Sequence, residues 1–195
     1  MSLGNTISTS VYTMMSNDVN LPVTCVYEEQ DLGVLFTSNL RFGGHINQIV
    51  HKANRLIGLI KQTFNYLDPP MLRALYVGLV RPHLDYALVV WSPNQLGDIR
   101  SIENVQRRAT RIIPSFRTMT YYDRFVSLNL PILLYRRRMD MIMVYKIVHG
   151  FDGICFEELF TFSDTSTRSN GYKLYKHYSR LSIRNYSFSQ QVIND

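Results

Sequence analysis

The sequence predicts a mainly α protein with a small N-terminal β hairpin. Three observations predict it. Apolar residues recur at spacings of three and four from residue 45 onward, the period of an amphipathic helix. Asp68-Pro69-Pro70 is a helix start, an N-cap residue followed by proline at the first helical positions. Two short β-type runs, 23–27 (VTCVY) and 32–36 (LGVLF), flank an acidic stretch that reads as the turn between paired strands.

Residues 1–20 are polar and rich in Ser, Thr and Asn, and read as a flexible lead-in. The hairpin is expected within 21–44. Ile46, Ile49, Val50, Ala53, Leu56, Ile57 and Ile60 then form the stripe of a first helix reaching about residue 64. A second helix follows Asp68 and carries Leu72, Leu75, Tyr76, Leu79 and Val80. Pro82 removes a backbone donor and is expected to kink or stop it. The apolar run 86–91 comes next and closes at Ser92-Pro93-Asn94. A third helix is expected over 94–113, with Leu96, Ile99, Ile102, Val105, Ala109 and Ile112 buried, and Pro114 ends it. A short helix over 121–128 and a long one over 132–149 follow, the latter closed by Gly150. The helical domain spans 45–160. Residues 161–195 form a basic, tyrosine-rich segment, extended or loosely ordered over 161–182.

A chain of 195 residues that is 46% hydrophobic can bury a core, and its thirteen tyrosines and ten phenylalanines exclude the composition of a disordered protein. The two cysteines, Cys25 and Cys155, form no paired motif, which fits an intracellular, reducing compartment, nucleus or cytoplasm, rather than a disulfide framework. The first twenty residues have neither the charged nor the apolar region of a signal peptide. No apolar run approaches the ~20 residues that span a bilayer, so no membrane partner is expected.

Charge is where the sequence speaks most clearly about function. Between residues 100 and 138 lie nine arginines, no lysine, and only two acids, Glu103 and Asp123. Self-repulsion makes such a concentration costly unless a polyanion shares it, and guanidinium suits bidentate contact with phosphate. Arg100, Arg107, Arg108 and Arg111, with Asn104, are spaced to lie opposite the apolar stripe of the third helix. Arg136, Arg137 and Arg138 open the last long helix. Tyr121, Tyr122 and Tyr135 lie near enough in sequence to stack on bases. A second basic group, Arg168, Lys173, Lys176, Arg180 and Arg184, is interleaved with Tyr172, Tyr175, Tyr178 and Tyr186, a mixture suited to single-stranded or structured nucleic acid. A solvated helix face and a solvated tail are the plain alternatives.

No self-contained active site is found. The histidines at 45, 51, 83, 149 and 177 show no zinc-ligand spacing, and no phosphate-binding P-loop or nucleophile elbow occurs. The acidic doublets are Glu28-Glu29 and Glu157-Glu158, and no Asp-Asp pair is present to hold the two metal ions of a polymerase. Asp85 reads as a helix-end or packing carboxylate. Catalytic residues, metal ligands and cofactors are each expected to be none.

Several strings resemble the region following the palm in reverse transcriptases of non-LTR, LINE-type and jockey-like retrotransposons. They are EEQDLGV at 28–34, SNLRF at 38–42 with His45-Ile46, KANR at 52–55, LVRPHLDYA at 79–87, VWSP at 90–93, ENVQRRAT at 103–110, RRR at 136–138, YKIVHG at 145–150 and FSQ at 188–190. LVRPHLDYA and ENVQRRAT are the most specific. The resemblance implies that the N-terminal strands are the end of the palm and that the helices form a thumb and connection bundle. Such a thumb grips an RNA–DNA or DNA primer–template duplex, with a chain carrying palm and fingers as a further partner. The implied protein is the nucleic-acid-binding thumb and connection fragment of an RNA-directed DNA polymerase, contacting phosphate through Arg100, Arg107, Arg108, Arg111, Arg136, Arg137, Arg138, Lys173 and Lys176.

The fingers, most of the palm and the Asp-Asp motif that binds Mg2+ in the parent polymerase are missing from this sequence, which reads as truncated at both ends. It is therefore not expected to be an enzyme on its own. A non-enzymatic helical protein-interaction module, a degenerate relic of a transposable element, and a piece completing a palm in trans remain as alternatives.

Overall fold

The computed structural model of the protein describes residues 11–16, 19–130, 135–163 and 172–194. The fold is mainly α, preceded by two antiparallel strand pairs. Strands β1 (Thr13–Ser16) and β2 (Val19–Pro22) pair with Thr13 opposite Pro22. They occupy part of the stretch 1–20 expected to be an unpaired lead-in, and the boundary expected at residue 20 falls inside β2. Backbone pairing of this kind leaves no trace in a polar composition. Residues 1–10 and 17–18 lie outside the described residues.

Strands β3 (Glu28–Asp31) and β4 (Val34–Thr37) form the second pair. The acidic stretch expected to be the turn is thus itself a strand, with all four side chains exposed. Residues 23–26, expected in a strand, are not. The turn decides the register. Leu32 (φ 45°) and Gly33 (φ 82°) are both left-handed, the conformation a two-residue hairpin turn needs to match strand twist. A leucine there is strained; the Tyr86 hydroxyl donates to its carbonyl at 2.8 Å and ties the turn to the helices.

Helix α1 (Gly43–Thr63) buries Ala53, Ile57 and Ile60 as its spacing predicts. Helix α2 (Pro69–Leu75) begins at Asp68, whose carboxylate accepts the Met71 N–H at 2.8 Å. Pro82 neither stops the helical path nor simply kinks it. A single π-helical turn, Tyr76–Val80, leads into α3 (Arg81–Asp85), and the Arg81 N–H donates five residues back to Tyr76. Proline offers no N–H to the carbonyl four residues earlier and its ring crowds that carbonyl; a widened turn relieves both. Asp85 ends α3 and pairs with Arg81 at 2.8 Å, a packing role rather than a catalytic one.

Ala87 (φ 51°) then reverses the chain into α4 (Leu88–Trp91). Trp91 is 1% exposed. Its indole N–H donates to the Tyr86 carbonyl at 2.7 Å, and its ring meets His45 edge-on at 5.4 Å. Helix α5 (Leu96–Ala109) is shorter than expected at both ends. A 3-10 turn (Pro114–Thr118) and α6 (Tyr121–Ser127) come next. Helix α7 (Tyr135–Val148) ends before Gly150, whose φ of +70° suits a helix terminator; its expected beginning at 132–134 lies outside the described residues.

Two clusters of buried side chains result. The first unites β4 with α1 through α6, from Val34 to Leu130. The second packs Val144 and Ile147 of α7 with Phe160 and Val192, so it spans the boundary expected between 160 and 161. Around it lie α8 (Phe156–Leu159), α9 (Ser182–Asn185) and α10 (Phe188–Gln191). Within the stretch 161–182 expected to be extended, Phe162 and Leu174 form an isolated antiparallel bridge; residues 164–171, Arg168 included, lie outside the described residues.

Trp91→Ala removes the side chain joining α1, α3 and α4. The expected loss is about 3–5 kcal/mol, read from urea unfolding; a loss below about 1 kcal/mol would show that α4 is not anchored there.

His45 gives the core a pH dependence. Its Nδ1 accepts the Leu35 N–H at 3.3 Å, and Nε2 finds no acceptor among the described residues. Burial holds its pKa below the ordinary 6.5. Below pH 6.5 the unfolded chain therefore takes up a proton that the folded ring resists, and stability falls until the depressed folded pKa is passed. Unfolding free energies at successive pH values below 7 should decline in the wild type, and His45→Gln should flatten that decline.

Candidate nucleic-acid interface

Helix α5 turns Ile102, Val105 and Ala109 into the core. Its period of 3.6 residues then places Arg100, Glu103 and Arg107 on the outer side, where Arg100 and Arg107 are exposed and Glu103 partly so. Arg111, in the turn after the helix, is exposed too. The 3-10 turn brings the chain back, and Thr120 starts α6 beside this face. The Thr120 hydroxyl oxygen accepts the Asp123 N–H at 3.2 Å and its hydrogen goes to the Asp123 carboxylate at 2.6 Å. Both the cap and the acid in the first turn stabilise a helix start.

Tyr121 sits at the centre of the group. The Arg107 guanidinium carbon lies 4.8 Å from its ring centroid, and that of Arg124 lies 5.9 Å away, both within cation–π range. Burial pushes the Tyr121 phenol up, and Glu103 adds to this, while Arg107 and Arg124 oppose it. Glu103 is 3.8 Å from Arg107, a loose, partly exposed pair worth little on its own.

Arg124 differs from its neighbours in being only 3% exposed. One terminal nitrogen donates to the Phe116 and Met119 carbonyls at 3.5 and 3.4 Å, at the long limit for such bonds. Its Nε finds no acceptor among the described residues. Burial, then the charge of Arg111, and to a lesser degree that of Arg107, push its pKa down. Arginine nevertheless keeps its proton in proteins. Arg107 and Arg124 thus share one ring, and Arg111 adds a third like charge felt by Arg124, a field that an oxyanion would relieve.

The other expected contacts fall differently. Arg108 leans toward α1, its guanidinium 3.4 Å from the Asn54 side-chain oxygen, because adjacent helix positions point about 100° apart. Arg136, Arg137 and Arg138 lie in the first turn of α7; their side chains, and that of Tyr135, lie outside the described residues. Lys173 and Lys176 are exposed beside the Phe162–Leu174 bridge, in the segment that packs on the second cluster. Tyr121 is not open for base stacking, since arginine occupies its face, whereas Tyr122 is exposed. Arg124 is the site residue that sequence reading missed. The Thr120-to-Asp123 cap signal locates its helix, but only the fold shows it buried and turned onto the Tyr121 ring.

A cavity of about 720 Å³ lies elsewhere, lined by Phe42, Trp91, Pro93, Asp98 and Phe188 among others and by none of these three arginines. Among the described residues no three His, Cys, Asp or Glu side chains group to hold a metal ion, and no helix is long and apolar enough to cross a membrane.

Comparison with protein-family models, with curated proteins and with solved structures gives no significant match.

Thr120→Ala removes the cap that sets the start of α6. A loss of about 1 kcal/mol is expected, measured by urea unfolding; an unchanged midpoint would show that α6 is held by packing alone.

Proposed function

We propose that this chain is the nucleic-acid-binding thumb and connection segment of a non-LTR retrotransposon reverse transcriptase, and that it grips a primer–template duplex, RNA–DNA or DNA, through its phosphates. The observation that carries the reading is that Arg107 and Arg124 meet over Tyr121 while the exposed Arg111 adds its charge to that of Arg124. The most specific strings behind the resemblance support it too. LVRPHLDYA supplies the Pro82 that the widened turn accommodates and the Tyr86 that ties the turn after β3 and accepts from Trp91. ENVQRRAT supplies the half of α5 that carries Arg107.

The grip follows from elementary electrostatics. Arg107 and Arg111 offer exposed guanidinium groups to successive phosphates, while Arg124 adds a buried charge behind them. Phosphate contacts release counterions and carry no sequence information, so binding is salt-sensitive and weakly specific. A chain carrying palm and fingers would be the natural partner, placing the complex in the nucleus or cytoplasm. The Mg2+ that the resemblance implies for the parent polymerase finds no fitting carboxylate group among the described residues. In this reading the chain positions a duplex and leaves polymerisation to residues elsewhere.

Fluorescence anisotropy with a labelled RNA–DNA hybrid over a range of salt concentrations tests the proposal. Arg107→Ala combined with Arg111→Ala should weaken binding across all sequences alike and flatten the slope of log K against log salt by about two. An unchanged affinity and slope would reject this face as the duplex grip.

A further inference from the structure

A second surface has a different chemistry. Tyr145 on α7 and His149, one residue past its end, stack with centroids 4.1 Å apart. The Phe151 ring is within 7° of parallel to His149 at 6.1 Å, and Tyr172 within 24° at 6.0 Å. The His149 Nδ1–H donates to the Tyr145 carbonyl at 2.8 Å and fixes the ring. These rings do not form a core: Tyr145 is 57%, Phe151 68% and Tyr172 59% exposed, while nearby Phe160 is buried. The four rings stack on one another around His149, and Tyr145, Phe151 and Tyr172 each keep about half or more of their surface open to water.

The charges that follow Tyr172 in the sequence favour a polyanion. Residues 172–186 hold Lys173, Lys176, Arg180 and Arg184 and no acid. Of the acids close in sequence, Asp152 is engaged by Lys146 at 3.5 Å, and Glu157 and Glu158 lie on α8. Unpaired bases on a phosphate backbone combine flat π faces with negative charge, and aromatic residues set among cations are how proteins hold them. A duplex hides its base faces in its own stack and offers this surface only phosphates.

We propose that Tyr145, His149, Phe151 and Tyr172 form a stacking platform for the unpaired bases of a single-stranded nucleic acid, with Lys173, Arg180 and Arg184 drawing in its backbone. The platform is built on the chain segments that supply the second cluster and uses none of the α5 arginines, so it does not rest on the duplex reading.

The test uses the full chain with short labelled oligouridylate, oligothymidylate and an RNA–DNA hybrid. Phe151→Leu combined with Tyr172→Leu keeps apolar bulk but removes the π faces. It should weaken single-strand binding about tenfold or more while hybrid affinity changes by less than about twofold. Phe151→Trp combined with Tyr172→Trp should restore or tighten it. Crosslinking with 5-iodouridine in the oligouridylate should mark Tyr145, His149, Phe151 or Tyr172. Binding of either homopolymer or both supports the platform and identifies the strand it takes. Wild-type affinity in the leucine pair, no single-strand binding by the wild type, or crosslinks confined to other residues would overturn it.

Discussion

The packing of α5 on α1 governs everything else in this molecule. Ala53 is completely buried, and Ile57 and Ile60 nearly so, with Ile102, Val105 and Ala109 buried on α5. A small residue at such a crossing lets two helices approach closely, and apolar burial there excludes water from the contact. Once those positions face inward, the helical period leaves Arg107 no choice but to face outward. The chain then returns through its 3-10 turn and sets Arg124 against the Tyr121 ring and the carbonyls of that turn. The cost of crowding cations is thereby carried by a core that would form around this stripe without them. A rigid scaffold holding a concentrated charge is pre-organised for an anionic partner.

Wherever structure is set by neighbours within one turn, the sequence announces it. The stripe of α1, the Asp68 cap, the Gly150 terminator and the outward arginines of α5 are all local in this sense. Where a distant partner decides, it does not. β3 carries no alternating apolar pattern because its side chains are all exposed, so its register rests on the left-handed Leu32-Gly33 turn and on Tyr86 from the far side of the core. The widened turn at Tyr76–Val80 escapes notice because Tyr76 and Val80 remain four apart and buried. Arg124 looks like any other arginine until burial is known. The aromatic platform gathers Tyr145, His149 and Phe151 with Tyr172, more than twenty residues away, and no spacing rule encodes that meeting.

Two chemistries therefore sit on two clusters of one chain. One concentrates guanidinium groups over a ring; the other stacks exposed rings on one another, with cations following in the sequence. The first suits a backbone presented by a duplex, the second suits bases that a duplex would conceal. Under the proposed reading, a polymerase handling a template would meet both forms of nucleic acid.

If Arg107, Arg111 and Arg124 hold phosphate together, their side chains must all sense a bound duplex. The arginine Nε–H resonances of the labelled protein report this while an RNA–DNA hybrid is added. The signals of these three residues should shift in concert, with Arg124 responding although it is buried. Binding of the hybrid that leaves all three unmoved, with shifts confined to other arginines, would contradict a shared grip.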